Sequence, residues 1–133
     1  MNTRVRERRR IGVIIDAVHE LYQAGIWRGI CEEATRQQID LLSFISTSQD
    51  GVNHFETHYE VIRDFALRAD VDGYILFSGS IAEHHGSPYL MTIKEQLSHC
   101  PLVSLSVPIP GVPSITVENA AGIEALIDHF INV

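Results

Sequence analysis

Four polar side chains close short apolar runs in this sequence. Asp16 follows residues 11–15, Ser46 follows 41–45, Ser78 follows 73–77 and Ser106 follows 102–105. His19, Tyr22, Thr47, Gly79 and Ser80 stand close by in the chain. Brought to one edge, these residues would bind a small polar molecule. A carboxylate accepts hydrogen bonds from hydroxyls, and a serine both donates and accepts. The ring of Tyr22 offers a flat face to a sugar or a base. The same residues also have a purely structural use, because short polar side chains end strands and cap helices. Their convergence, rather than any one of them, makes Asp16, His19, Tyr22, Ser46, Ser78, Gly79 and Ser106 a candidate ligand set.

No catalytic set is recognisable. No G-x-G-x-x-G follows the first apolar run, and no G-x-x-x-x-G-K-[ST] occurs. Ser78-Gly79 lacks the flanks of a nucleophile elbow, and the third run ends in Ser78 rather than in a phosphorylatable aspartate. His54 and His58 are four apart on an expected helix, and His84 and His85 are adjacent, but no third metal ligand is fixed beside either pair. Cys31 and Cys100 match no metal or redox spacing and read as small core-facing residues. The expectation is therefore a protein with no enzyme activity, no metal and no cofactor.

The elements that must position these residues follow from the apolar pattern. Strands are expected over 11–16, 41–46, 73–78, 102–106 and 115–118. Continuous apolar runs of this length suit strands of a parallel sheet buried on both faces. In such open sheets, ligands bind beyond the carboxyl ends of the strands. Helices are expected over 21–37, with Tyr22, Ile26, Ile30 and Ala34 on one face, and over 54–69, with Phe55, Tyr59, Ile62, Ala66 and Ala69. Residues 46–53 read as a polar loop turning at Asp50-Gly51, and residues 79–87, rich in Gly, Ser and His, read as another. A shorter helix follows, with Pro88 in its first turn and Leu90, Ile93 and Leu97 on its apolar face. Pro108, Pro110 and Pro113 forbid a long helix or a central strand after the fourth run. Asn119 is placed to N-cap a last helix whose apolar face carries Ile123, Leu126, Ile127 and Phe130. The pattern predicts an α/β fold, a three-layer α/β/α sandwich around a mostly parallel sheet. An eight-stranded barrel needs about 250 residues and is excluded.

Length and charge agree with one domain. A chain of 133 residues with 45% hydrophobic content can bury a single core. Arg4, Arg6, Arg8, Arg9 and Arg10 hold half of the ten basic residues, so residues 1–10 read as a basic, solvated lead-in. From residue 11 onward, five basic residues face sixteen acidic ones, which does not suggest a nucleic-acid surface. No run approaches the roughly 20 apolar residues of a membrane span. The basic start also lacks a small-residue cleavage site, and a cytoplasmic location is expected.

Three segments together resemble the effector-binding domain of LacI/GalR-type regulators. They are Ile11-Gly-Val-Ile-Ile-Asp16 with Tyr22 and Arg28-Gly-Ile30, then Val71-Asp-Gly-Tyr-Ile-Leu76, then Val112-Pro-Ser-Ile-Thr-Val-Glu-Asn119 with Gly122. Within that superfamily, Ser78-Gly-Ser80, the stretch from Ser104 to Pro113 and Asp128-His129 resemble sensor domains of bacterial signalling proteins, those preceding diguanylate cyclase or histidine kinase modules. Glu20-Leu21-Tyr22 stands where the family has Asn-Pro-Phe, and Glu118 where it has Asp. The resemblance implies a periplasmic-binding-protein-like fold of two lobes with a sugar or nucleoside-like ligand between them. Residues 11–133 would be the first lobe, truncated where the family crosses to the second. It also implies a homodimer, and DNA binding only through a module absent from this chain. On this basis the chain is expected to be a ligand-sensing domain of a bacterial transcriptional regulator or signal-transduction protein. A dimerisation module with a vestigial cleft and a small α/β enzyme are the alternatives.

Overall fold

The computed structural model describes residues 8–16, 18–46 and 55–132, with the side chains of Ser46 and of residues 55–60 outside that description. The elements run β1 (Arg10–Asp16), α1 (Leu21–Arg36), β2 (Asp40–Ser46), α2 (Phe55–Arg68), β3 (Gly73–Leu76), α3 (Ser78–His85), α4 (Ser87–Gln96), β4 (Leu102–Leu105), β5 (Ser114–Ile115) and α5 (Asn119–Ile131). All five strands are parallel, in the order β2-β1-β3-β4-β5. The expected α/β class and parallel sheet are present.

Strand order dictates the layers. The chain steps one way from β1 to β2, then back past β1 to β3 and on to β4. Right-handed crossovers therefore place α1 on one face and α2, α3 and α4 on the other. Alternate residues of β1 serve the two cores. Val13 and Ile15 join Phe77 and Leu105 in a cluster that takes Ile26, Trp27 and Ile30 of α1. Ile14 joins Tyr74 and Leu76 in the opposite cluster, with Ala66 of α2, Ile81 of α3 and Leu90 and Ile93 of α4.

Gly12 permits a close crossing within the second cluster. A Cβ there would lie 2.5 Å from ring carbons of Tyr74, which is 2% exposed. The Tyr74 ring thus lies over β1 itself, and its hydroxyl donates to the Ala66 carbonyl of α2. Burial raises the Tyr74 hydroxyl pKa and, at the neighbouring Cys100, that of the thiol.

Helix α1 ends in a Schellman arrangement. The Ile39 N–H donates to the Ala34 carbonyl at 2.8 Å and the Gln38 N–H to that of Thr35 at 3.2 Å. Gln38 holds the left-handed position at φ 55°, where glycine is usual.

Five expectations need correction. Residues 78–85 form helix α3 rather than a loop: Ile81 is fully buried, and packing overrides a weak local helix preference. Gly86, at φ 80°, separates α3 from α4. Strand β4 stops at Leu105 because Ser106 turns to φ 78°, outside the strand region. Strand β5 holds only Ser114 and Ile115. The cap of α5 is Glu118, whose carboxylate accepts the Ala121 N–H at 3.5 Å, and Asn119 is already helical. Finally, β1 begins at Arg10, inside the expected solvated lead-in. Its N–H donates to Asp72 at 2.8 Å, and Arg8 pairs with Asp40 at 3.5 Å.

Candidate functional site

The carboxyl edge of the sheet gathers most of the expected set. Asp16 ends β1 opposite Ser46 in the parallel register, and β3 on the other side of β1 runs directly into Ser78. The crossovers diverge between β1 and β3, and that point is where open α/β sheets hold ligands.

Asp16 is 1% exposed, and neither carboxylate oxygen has a hydrogen-bond partner among the described residues. His84 of α3 approaches Oδ2 with Nδ1 at 3.2 Å. That same Nδ1 lies 2.9 Å from the Ser80 carbonyl, which takes its proton when it carries one. The contact with Asp16 is therefore an approach of charge and dipole rather than an aligned hydrogen bond. A buried acceptor of this kind is costly unless something donates to it.

Tyr22, Gly79 and Ser106 also meet at this edge. The Tyr22 hydroxyl lies 3.5 Å from Ser106 Oγ. A Cβ on Gly79 would stand 2.9 Å from Ser106 Cβ, so only glycine lets the β4–β5 loop pass that close. Tyr22 is more than half exposed and presents its ring to solvent. Together these residues offer one aromatic face and two hydroxyls.

Ser78 is placed differently from its expected role. It is wholly buried, with Oγ 2.5 Å from the Leu105 carbonyl and 3.0 Å from that of Val107. It accepts the Val107 N–H at 3.1 Å and meets Ser104 Oγ at 2.7 Å. Ser104 Oγ is also 2.6 Å from the Val107 carbonyl. The two serines thus staple residues 105–107 and hold Ser106 in its left-handed conformation. Ser78 has no surface left for a ligand and acts as a positioning residue. Ser80 is likewise buried, its hydroxyl donating to the Phe77 carbonyl at 3.2 Å.

His19 is exposed in the β1–α1 turn, and among the described residues none of the site's hydrogen bonds involves it. The backbone of Ser46 sits at the edge, while its side chain, Thr47 and His54 lie outside the described residues, as does the side chain of His58. His85 stacks on Tyr89 with ring centroids 4.9 Å apart. Among the described residues, no three potential metal ligands cluster.

Ser104 and His84 are the functional-site neighbours that sequence reasoning missed. A serine inside the apolar run 102–105 was a signal for Ser104. Nothing local paired His84 with Asp16, because residues 79–87 read as a loop.

Tyr22 and Ser106 also stand at one end of an apolar groove of about 760 Å³. It runs along α1 over the outer face of β3, β4 and β5.

No protein-family model and no curated protein matches this sequence. Solved structures do. The lac repressor dimer bound to operator and an anti-inducer is 15% identical, with a TM-score of 0.66 over 93% of this chain and 42% of that one. The LacI-family regulator CcpA of Weissella paramesenteroides, with bound sucrose, is 15% identical with a TM-score of 0.68, over 92% of this chain and 42% of that one. CcpA of Lactococcus lactis is 20% identical with a TM-score of 0.64, over 92% and 43%. This chain thus has the LacI-type, periplasmic-binding-protein-like fold, and spans less than half the length of the proteins it matches.

Proposed function

We propose that this LacI-type lobe is one half of a ligand-sensing site in a bacterial transcriptional regulator or signalling protein. The ligand is a small polar molecule, sugar or nucleoside-like, held between this lobe and a second one. One observation carries the reading: the Asp16 carboxylate is buried at the sheet's switch point, and among the described residues neither oxygen accepts a hydrogen bond. A ligand hydroxyl or ring N–H supplies that donor, and Tyr22 and Ser106 supply a stacking face and a second polar contact. The sucrose bound to one structural neighbour agrees in chemical class. Ligand would favour a closed arrangement of lobes, and an output module would read the shift. DNA contact, if the parent makes any, would come from a module outside this chain, and the protein would work in the cytoplasm. Among the described residues no helix is long and apolar enough to cross a membrane.

Calorimetry on the full-length gene product, with a panel of mono- and disaccharides and nucleosides, tests this. One ligand should bind, and Asp16→Ala should weaken it by about 1–3 kcal/mol, the effect of removing a buried acceptor from its donor. Equal affinity in the variant would leave Asp16 as a strand terminator and remove the basis of the reading.

The second reading, a dimerisation module, is favoured by a separate observation. Among the described residues, an apolar groove and an apolar helix face both stand uncovered.

A further inference from the structure

Asp16 and His84 meet at the carboxyl edge of the sheet. Asp16 ends β1, and among the described residues neither of its sealed oxygens accepts a hydrogen bond. His84 stands in the last turn of α3 with its side chain about a third exposed. Protons reach the ring from solvent, while its Nδ1 lies 3.2 Å from the sealed Asp16 Oδ2.

The surroundings of Nδ1 fix the tautomer. The Ser80 carbonyl is 2.9 Å away and Asp16 Oδ2 is 3.2 Å away, and both are acceptors. A lone pair on Nδ1 would face two oxygens. Neutral His84 therefore carries its proton on Nδ1, and Nε2 is the atom that gains one on acidification. In the neutral state the Nδ1 proton goes to Ser80 and leaves the carboxylate open to another donor.

Protonation changes what the ring offers. An imidazolium brings a positive charge 3.2 Å from a carboxylate that solvent does not screen. A small ring rotation turns the Nδ1 proton from Ser80 to Oδ2. Little is lost at Ser80, because helical geometry supplies its carbonyl with the His84 backbone N–H. Protonated His84 then gives Asp16 a charge-assisted donor.

Helix α3 packs against β1, β4 and α4, and through Ile81 against Ala66 of α2. β4 carries no titratable side chain. α4 brings Glu95, Tyr89, which stacks on His85, and Lys94, whose Nζ donates to the Pro110 carbonyl. α2 brings Arg63, which donates to the Tyr89 hydroxyl at 3.2 Å and pairs with Asp64. Glu83 and His85 are the neighbours on α3 itself. Of these groups, Asp16 stands at ion-pair distance from His84.

We propose that His84 is a proton-operated gate on Asp16: neutral, it leaves the carboxylate to a ligand, and protonated, it takes the carboxylate for itself. The gate rests on the ligand-sensing reading of Asp16 and adds its regulation. A neutral ligand with hydroxyl or N–H donors and a proton on His84 draw on the same carboxylate. Each weakens the other by the same factor, so binding releases a proton. Affinity therefore rises with pH through the range where imidazoles titrate, about pH 5 to about pH 8.

Two measurements on the full-length gene product test the gate. The first needs no ligand. Long-range proton–nitrogen NMR spectra at about pH 8 read which ring nitrogen of neutral His84 carries the proton. A proton on Nδ1 is expected, and one on Nε2 would overturn the gate. The second is calorimetry with sucrose, other neutral mono- and disaccharides, and nucleosides, none of which titrates in that range. The compound that binds at about pH 7.5 should bind about tenfold more weakly at about pH 5.5, the loss of one charge-assisted hydrogen bond. In His84→Gln, which keeps a donor and cannot titrate, affinity should be flat with pH. Circular dichroism checks its fold, and His84→Asn takes its place if it does not fold. A flat profile in the native protein, or an unchanged slope in the amide variant, would overturn the gate and leave the ligand site standing. Failure of every compound to bind at either pH would overturn both.

Discussion

Replacing Ser78 by alanine isolates the staple behind the candidate site. The substitution removes one oxygen and leaves the apolar packing in place. Ser104 can turn its proton wholly to the Val107 carbonyl, 2.6 Å away, so its own hydroxyl stays satisfied. The Leu105 carbonyl loses a donor at 2.5 Å, and the Val107 N–H loses an acceptor at 3.1 Å. A buried group left unpaired costs about 1–3 kcal/mol. Val107 is half-buried, and water can partly replace what its N–H loses, so the expected total is about 2–4 kcal/mol. That is a large share of the roughly 5–15 kcal/mol that holds a domain together. Urea titration followed by circular dichroism reads it directly. A loss of about 3 kcal/mol against a slope of about 1.5 kcal/mol/M lowers the midpoint by about 2 M, with the slope unchanged. Ser104→Ala, which leaves Ser78 able to serve both neighbours, should cost less, about 1 kcal/mol. A Ser78→Ala loss under about 0.5 kcal/mol would refute the assignment, because buried hydrogen bonds cannot vanish at so small a cost.

Two further substitutions probe the frame. Gly12→Ala should destabilise by about 1–3 kcal/mol through overpacking against the Tyr74 ring, seen as a lower midpoint in calorimetric unfolding; an unchanged midpoint would mean the ring moves freely. Gln38→Gly should stabilise by up to about 1 kcal/mol, since glycine holds the left-handed position after α1 without the Cβ penalty. Chemical denaturation measures the gain, and a loss would show that the Gln38 side chain, not its backbone, matters there.

Much of this fold was legible because parallel strands buried on both faces leave continuous apolar runs. The run at 11–15 could hardly be anything else once both its alternating halves had to be covered. Asp16 was legible as an edge residue for the same reason, since the apolar run stops there. What failed to show was the direction of polar side chains. Ser78 and Ser106 end similar runs, yet one is sealed beneath a loop and the other stands beside Tyr22. The difference is made by Ser104 and Val107, more than 25 residues from Ser78 in sequence. Helix α3 was hidden because Ser, Gly and His have little helical preference, and burial of Ile81 outweighs them. The stripe of α5 was plain, but a stripe says that a face is to be covered and not by what.

The placing of β1 between β2 and β3 also bears on how the chain is made. Both of its neighbours in the sheet, β2 and β3, are synthesised after it. Ile11 pairs with Leu41 and with Gly73, the latter 62 residues downstream. At synthesis rates of about 5–20 residues per second, β1 waits about 3–12 s for that partner. Through that interval Val13, Ile14 and Ile15 have at most β2 beside them, and an unpaired apolar strand is the kind of segment that aggregates. The interior position that gives Asp16 its seat at the switch point therefore leaves β1 waiting, apolar and half-paired, while the chain is made.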